Sequence, residues 1–336
     1  MTSRDLVRRA LDHASPPRAP RQAWITPWAE RHFPAAVARL GAEFPDDIVT
    51  APACYRQAPP GVGDPYAKGI CVDAWGCRFE NEYDGMLGRV REPLIRRWAD
   101  LESFRTPACL LAVDRPAIDA FCDTTDRFVL AGTFIRPFER LCFLRTMEQA
   151  LADVLEQPPE FIDLLDRLRR HYRDEASAWA ATRVDAIVIM DDWGAQDRLL
   201  VSPETWRRLF KPVYREVCEV ARNAGKRVFM HSDGWILEIV PDLIEIGVDA
   251  LNSQISCMGP SALGRFRGQI TFWGEIDRHA VLSAGSFDDV RRAVAEMRTH
   301  LYADGGVIAQ CEFGPGARPE NVREVFRCWQ SLDSAS

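Results

Sequence analysis

The residues best able to do chemistry gather where short apolar runs end. Val228, Phe229 and Met230 lead into His231, Ser232, Asp233 and Gly234. The run 186–190 ends in Asp191, Asp192, Trp193 and Gly194, and 248–251 ends in Asn252, Ser253 and Gln254. Glu275 and Asp277 follow 269–273, and Cys311 and Glu312 close the run that starts at Val307. Imidazole, thiolate and carboxylate together form the donor set of a catalytic zinc ion with one position left open. A thiolate also favours zinc over magnesium. Each residue has a plainer reading beside this one. A histidine at a strand end is often a hydrogen-bonded structural group, and a lone cysteine is often core. Asp191 and Asp192 read equally as helix caps or salt-bridge partners. Asp277, Cys257 and His279 read as structural or surface residues. A ligand set drawn from separate segments has no diagnostic spacing, unlike a Cys-x-x-Cys pair, which the chain lacks.

Such residues converge only if the fold brings their strands together. Long amphipathic stretches alternate with the apolar runs from residue 127 onward. Ser202-Pro-Glu opens one helix with a capping serine, proline at the first helical position and an early acid. Its stripe of Trp206, Leu209, Phe210, Val213, Val217 and Val220 has a helical period and stops at Gly225. Thr146-Met-Glu-Gln149 and Ser286-Phe-Asp-Asp289 read as capping boxes that open further helices. The strands are apolar almost throughout, as in a parallel sheet covered on both faces. We therefore expect an α/β protein, a (β/α)8 TIM-type barrel, whose strand C-termini share one mouth. An open doubly wound sheet is the alternative, but no Gly-x-Gly-x-x-Gly follows any strand.

The first 126 residues are less regular. Residues 4–12 and 28–41 read as helices and 23–26 as a strand. The Pro- and Gly-rich stretch 51–68, a strand and turn at 71–77, and a hairpin bending near Tyr83-Asp-Gly-Met read as an excursion that could roof a pocket. The chain is read as one domain over 1–336, with 1–126 its irregular N-terminal part and 127–330 its regular repeats.

Composition narrows the class of partner. A net charge of −7 without a basic block gives no footprint for nucleic acid. No apolar run approaches the roughly 18 residues of a membrane span. The N-terminal stretch carries charges through its apolar positions and reads as an amphipathic helix, not an export signal. The ten cysteines are scattered, so reduced thiols in the cytoplasm are expected.

Three stretches of the chain resemble the uroporphyrinogen decarboxylase superfamily. They are Asp191-Asp-Trp-Gly-Ala-Gln196 with Ser202-Pro-Glu-Thr-Trp206; residues 225–234 with Pro241-Asp-Leu-Ile-Glu-Ile-Gly-Val-Asp-Ala-Leu-Asn252; and Phe272-Trp-Gly-Glu-Ile-Asp277 with Pro319-Glu-Asn321. The resemblance implies a TIM-type barrel. The decarboxylases of that superfamily carry an Arg-Gln-Ala-Gly-Arg-Tyr motif, of which only Arg21-Gln-Ala-Trp24 remains here. The branch of zinc-dependent, corrinoid-linked methyltransferases is more similar. In that branch a His-x-Cys motif and a distal cysteine bind zinc. By position, His231 matches the histidine and Cys311 the distal cysteine, while Asp233 stands where the first cysteine would be. Gln254 falls near an acidic ligand of some members.

The resemblance therefore implies a methyltransferase in which His231, Cys311 and Asp233 hold zinc, with Glu275 as another candidate ligand. Asp192, Asp191 and Glu275 would be its acid–base residues. A separate corrinoid protein is the implied partner, because the chain has no Asp-x-His-x-x-Gly of its own, and a homodimer is the implied assembly. Gln254, Trp193, Arg136 and Trp75 are the substrate-binding candidates, with Trp273 a third tryptophan able to shape an apolar pocket. The rival reading is a metal-independent decarboxylase or lyase. It would use Asp192 and His231 as an acid–base pair and Arg136 or Arg140 to grip a carboxylate.

Overall fold

The computed structural model describes residues 1–330. Eight strands form the frame. They are β1 (Arg21–Ile25), β2 (Ile48–Thr50), β6 (Phe128–Leu130), β7 (Ala186–Met190), β8 (Arg227–Ser232), β9 (Ala250–Ser253), β10 (Thr271–Trp273) and β11 (Val307–Phe313). A separate antiparallel sheet holds β3 (Gly69–Val72), β4 (Arg78–Asn81) and β5 (Arg89–Val90). The large sheet runs β1-β11-β10-β9-β8-β7-β6-β2, and every pairing in it is parallel. Its edges approach each other, with the Asp47 N–H donating to the Arg21 carbonyl at 2.9 Å. The result is a nearly closed (β/α)8 TIM-type barrel.

Strand periodicity sorts the side chains. Ile48, Phe128, Leu130, Ala186, Val188, Phe229, Ala250, Trp273 and Ile308 fill the barrel interior. The alternate residues, such as Ile187, Ile189, Val228, Met230, Leu251 and Phe272, pack outward against the helices. The N-terminal helix Ser3–Leu11 joins the inner cluster through Val7 and Leu11, so it plugs the barrel floor. Its start is a full capping box between Thr2 and Asp5.

Most sequence expectations hold, with local shifts. The 28–41 helix is two helices, Pro27–His32 and Pro34–Glu43, parted at Phe33. Proline at 34 disfavours helical backbone in the residue before it. The second capping box, at Ser286, is complete, whereas Thr146 caps only the Gln149 N–H. The strand after Gly247 starts at Ala250 and runs on to Ser253. Strand β2 has no counterpart in the sequence reading, because three residues carry too little period to register. Thus the irregular first third supplies two barrel strands as well as the excursion.

None of the ten cysteines is joined in a disulfide in the structure. Among the described residues no helix is long and apolar enough to cross a membrane.

Candidate active site

The in–out alternation of β7 and β8 decides which polar residues meet. On β8, Phe229 points into the barrel, and the phase continues through His231 to Asp233. On β7, Val188 points inward, so Asp192 shares the mouth while Asp191 faces the helices. His231 Nε2 lies 3.5 Å from Asp192 Oδ1 and 3.6 Å from Asp233 Oδ1. These three donor atoms lie within 4.8 Å of one another, close enough to hold one metal ion.

The histidine tautomer follows from its neighbour. Asn252 uses its Nδ2 to donate to the Trp273 carbonyl and, at 3.2 Å, to Gln310 Oε1. Its Oδ1 is therefore the acceptor facing His231 Nδ1 at 2.5 Å. The ring proton sits on Nδ1, and a neutral His231 turns the Nε2 lone pair to the carboxylates. An outer partner of this type is what orients a ligating imidazole. Burial pulls the imidazole pKa down, but the charges of Asp192 and Asp233 outweigh it, so His231 is raised overall.

The two aspartates are fixed from behind. The Asp233 backbone N–H donates to Asp192 Oδ1 at 2.9 Å, and Gly194 N–H donates to the Asp233 carbonyl at 3.0 Å. Gly234 has φ +78°, and a Cβ there would meet the Gly194 carbonyl oxygen at 2.2 Å. Only glycine lets the loops after β7 and β8 cross this closely. Asp233 Oδ2 accepts from Arg278 Nη2, while Asp233 Oδ1 is buried with no hydrogen-bond partner.

Arg278 links this set to β10 and β11. Its Nη1 reaches Glu312 Oε2 at 2.9 Å and its Nε lies 3.9 Å from Glu275 Oε1. Burial pushes the Glu275 carboxyl up to about 8, although Arg278 opposes the shift. Its Oε2 is buried without a partner. The sequence reading passed over Arg278. The one signal available was its place three residues after Glu275 in a strand-end loop.

Several candidates lie elsewhere. Cys311 is fully buried among outward-facing residues with Ala309 and Phe313, and the inward residues of β11 are Ile308, Gln310 and Glu312. It pairs in register with Ala23 of β1 and is not part of the metal-capable group. Burial pushes its thiol pKa well up. The expectation that Cys311 faces His231 is corrected: the strand phase points it away. Asp191 is likewise corrected from an acid–base role. It accepts from the Phe138 and Glu139 N–H groups at 2.8 and 2.7 Å and from Tyr214 Oη at 2.6 Å, so it caps the helix Pro137–Arg145.

Trp193 is buried on the outer side, stacked on Phe138 at 4.2 Å, with Nε1 donating to Tyr214 Oη at 2.8 Å. Trp75 is buried against His171 and beneath the Arg140 guanidinium, 4.5 Å from its ring. Arg140 itself is spent on Asp73 at 2.5 Å. None of these three lines the mouth. Gln254 Oε1 accepts from the Gly234 N–H at 3.1 Å, which makes it a brace for the β8 loop.

Arg136 does line the mouth. A cavity of about 580 Å³ opens there, bounded by Trp24, Phe134, Arg136, Glu139, Trp273 and Glu312 and roofed by Tyr66, Met86 and Leu87. The indole of Trp24 lies 5.2 Å from the His231 ring. Arg136 pairs with Glu139 at 3.0 Å, and burial raises the Glu139 pKa.

Known proteins share this fold. Residues 70–332 match the model of the uroporphyrinogen decarboxylase (URO-D) family. That span is most of the chain, and the protein belongs to this family. A solved methyltransferase from Methanosarcina mazei shares the fold, with a TM-score of 0.71 over 99% of each chain and 17% sequence identity. No curated protein matches the sequence.

Proposed function

We propose that the protein is a zinc-dependent methyltransferase that moves a methyl group between a small substrate and a separate corrinoid protein. The observation that carries this is the meeting of His231 Nε2, Asp192 Oδ1 and Asp233 Oδ1 at the mouth of a URO-D family barrel. The donor set fits a catalytic zinc ion, because three nitrogen and oxygen ligands with an open position are the pattern of such sites. The buried, unpartnered Asp233 Oδ1 and the free Nε2 lone pair both call for a cation. His231, Asp192 and Asp233 would hold it. When bound, zinc supplies Lewis acidity toward a substrate oxygen or sulfur.

The protein's own groups do the rest. Asn252 keeps the His231 lone pair directed, and Arg278 holds Asp233 by Oδ2 so that Oδ1 faces inward. Glu275, raised to about 8, keeps a proton at neutral pH that a departing oxygen can take. Asp192 reaches both His231 and the Asp233 backbone and so sets the distance between them.

The charge balance disfavours decarboxylation of a polycarboxylate. Asp192, Asp233, Glu139 and Glu312 surround the mouth as anions beside the protonated Glu275, and its guanidinium groups, Arg136 and Arg278, are both already paired. Neither is left to grip an anionic substrate. The direct test mixes the zinc-loaded protein with free cob(I)alamin and a methyl donor such as methanol or anisole. Conversion to the methylcobalamin spectrum is expected, with none in His231→Ala. Release of carbon dioxide from a porphyrinogen, with no methyl transfer to cobalamin from any donor, would refute the proposal.

A further inference from the structure

The excursion between β2 and β6 has a constructed tip. Asn81 is buried, and its Nδ2 lies within hydrogen-bond distance of the carbonyls of Pro65 (2.5 Å), Ala67 (2.9 Å) and Met86 (3.2 Å). The Gly85 N–H donates to the Tyr66 carbonyl at 2.7 Å, and Lys68 N–H donates to Asp84 Oδ1 at 2.8 Å. These bonds clamp 65–68 against 84–86. Gly85 has φ +84°, and a Cβ there would meet Trp28 Cα at 2.6 Å, so the tip is seated directly on the helix Pro27–His32. Arg31 of that helix reaches Asp84 at 3.2 Å from the other side.

What the clamp presents is apolar. Tyr66, Met86 and Leu87 are 39%, 45% and 46% exposed, and all three line the mouth cavity. Phe134, 38% exposed, continues the surface from the far wall. Half-exposed apolar side chains held in fixed backbone beside a cavity mark a binding surface. Glu139 and Glu312 line the same cavity.

We infer that this tip is the specificity element of the mouth, with Met86 and Leu87 selecting an uncharged ligand that has an apolar body and a single small polar head. The head would lie toward His231 and the body against the tip. The inference deepens the methyl-transfer reading, and rests on it only in taking this mouth as the active one. The cavity, about 580 Å³, is within the size range of small-molecule sites, roughly 300–1,000 Å³. Carboxylates on the ligand body would meet Glu139 and Glu312 with no free guanidinium to offset them.

The test uses three probes that share a methoxy head and differ in body: anisole, 4-methoxybenzoate and 2-methoxyethanol. Their binding to the full-length, zinc-loaded protein is titrated by ligand-observed NMR, which needs no turnover. Anisole should bind at least about tenfold tighter than either of the others, equivalent to about 1.4 kcal/mol. The exposed double variant Met86→Ser/Leu87→Ser should shrink the preference over 2-methoxyethanol to less than about threefold by the same conversion, while Glu139 and Glu312 keep 4-methoxybenzoate out. Val62→Ser, on an exposed residue of the excursion that does not line the cavity, should leave it unchanged. Equal binding of anisole and 2-methoxyethanol, or a preference between these two that survives the double variant, would overturn the inference. If anisole is preferred but no donor methylates cobalamin, the methyl-transfer reading fails and the specificity element stands.

Discussion

The ends of β8 and β11 make an instructive pair. Each carries a strong metal-binding side chain after an apolar run, His231 on one and Cys311 on the other. Both are buried. One lies within 3.6 Å of two carboxylates, and the other meets only the packing between sheet and helices. The difference is a single step of strand phase. Had Cys311 occupied the position of Gln310 or Glu312, its sulfur would face the mouth. A thiolate ligand is thus absent from the set the fold assembles, and carboxylates stand in its place. Carboxylate donates less charge than thiolate, so an ion held here would be a stronger Lewis acid than one in a cysteine-rich site.

Substitutions test this contrast. The largest effect is expected from His231→Ala, which removes the nitrogen donor; zinc affinity by competition with a chromophoric chelator should fall by more than about 100-fold. Asp192→Asn and Asp233→Asn each replace a charged ligand oxygen and should weaken zinc by about 10–100-fold, with the folded state retained by circular dichroism. Asn252→Ala touches no metal, yet it frees the His231 ring to rotate and should also cost roughly tenfold or more. Unchanged affinity in Asn252→Ala would mean that the Nδ1 contact does not set the tautomer. The smallest effect belongs to Cys311→Ala, which should leave zinc affinity alone and lower stability by about 1 kcal/mol through lost packing, read from chemical denaturation.

Proton competition gives an independent reading of the same site. His231 must be neutral to bind metal, and its pKa is raised by Asp192 and Asp233 against the pull of burial. Zinc uptake should therefore be complete above that raised value and decline as pH falls through it, beginning at higher pH than for an ordinary imidazole. Asp192→Asn removes one of the raising charges, so its midpoint should move to lower pH. An unmoved midpoint would assign the titration to another group.

The architecture was legible in the sequence because helix caps, glycine stops and apolar runs alternate so regularly after residue 127. The strand phase was not. In β8 the run Val228–Met230 that precedes His231 is continuously apolar, since both faces are covered, and such a run carries no alternation to show which side faces in. In β11 Gln310 and Glu312 do alternate with Ala309, Cys311 and Phe313, but Val307 to Ala309 reads as one continuous apolar run and masks that phase. His231 and Cys311 therefore looked equivalent. Asp191 and Asp192 posed the same difficulty as neighbours, and only the inward phase of Val188 separates cap from site. Trp75 and Trp193 were attractive as apolar pocket walls, but large aromatics are most often core, and here they are. The apolar lining comes instead from Trp24, Phe134 and Trp273 and from Tyr66, Met86 and Leu87 of the excursion, a segment read as a pocket roof but without a period to single out these residues. Arg278 was hidden for a similar reason, because its three carboxylate partners lie on three different strand ends.

In the proposed site a metal is held by His231 and carboxylates, without Cys311. The most direct test is the metal content of the wild type, His231→Ala and Cys311→Ala, each purified without chelator and measured by plasma mass spectrometry. The expected result is about one zinc per chain in the wild type and Cys311→Ala, and almost none in His231→Ala. Metal lost in Cys311→Ala while the protein stays folded, or no metal in an active wild type, would contradict it.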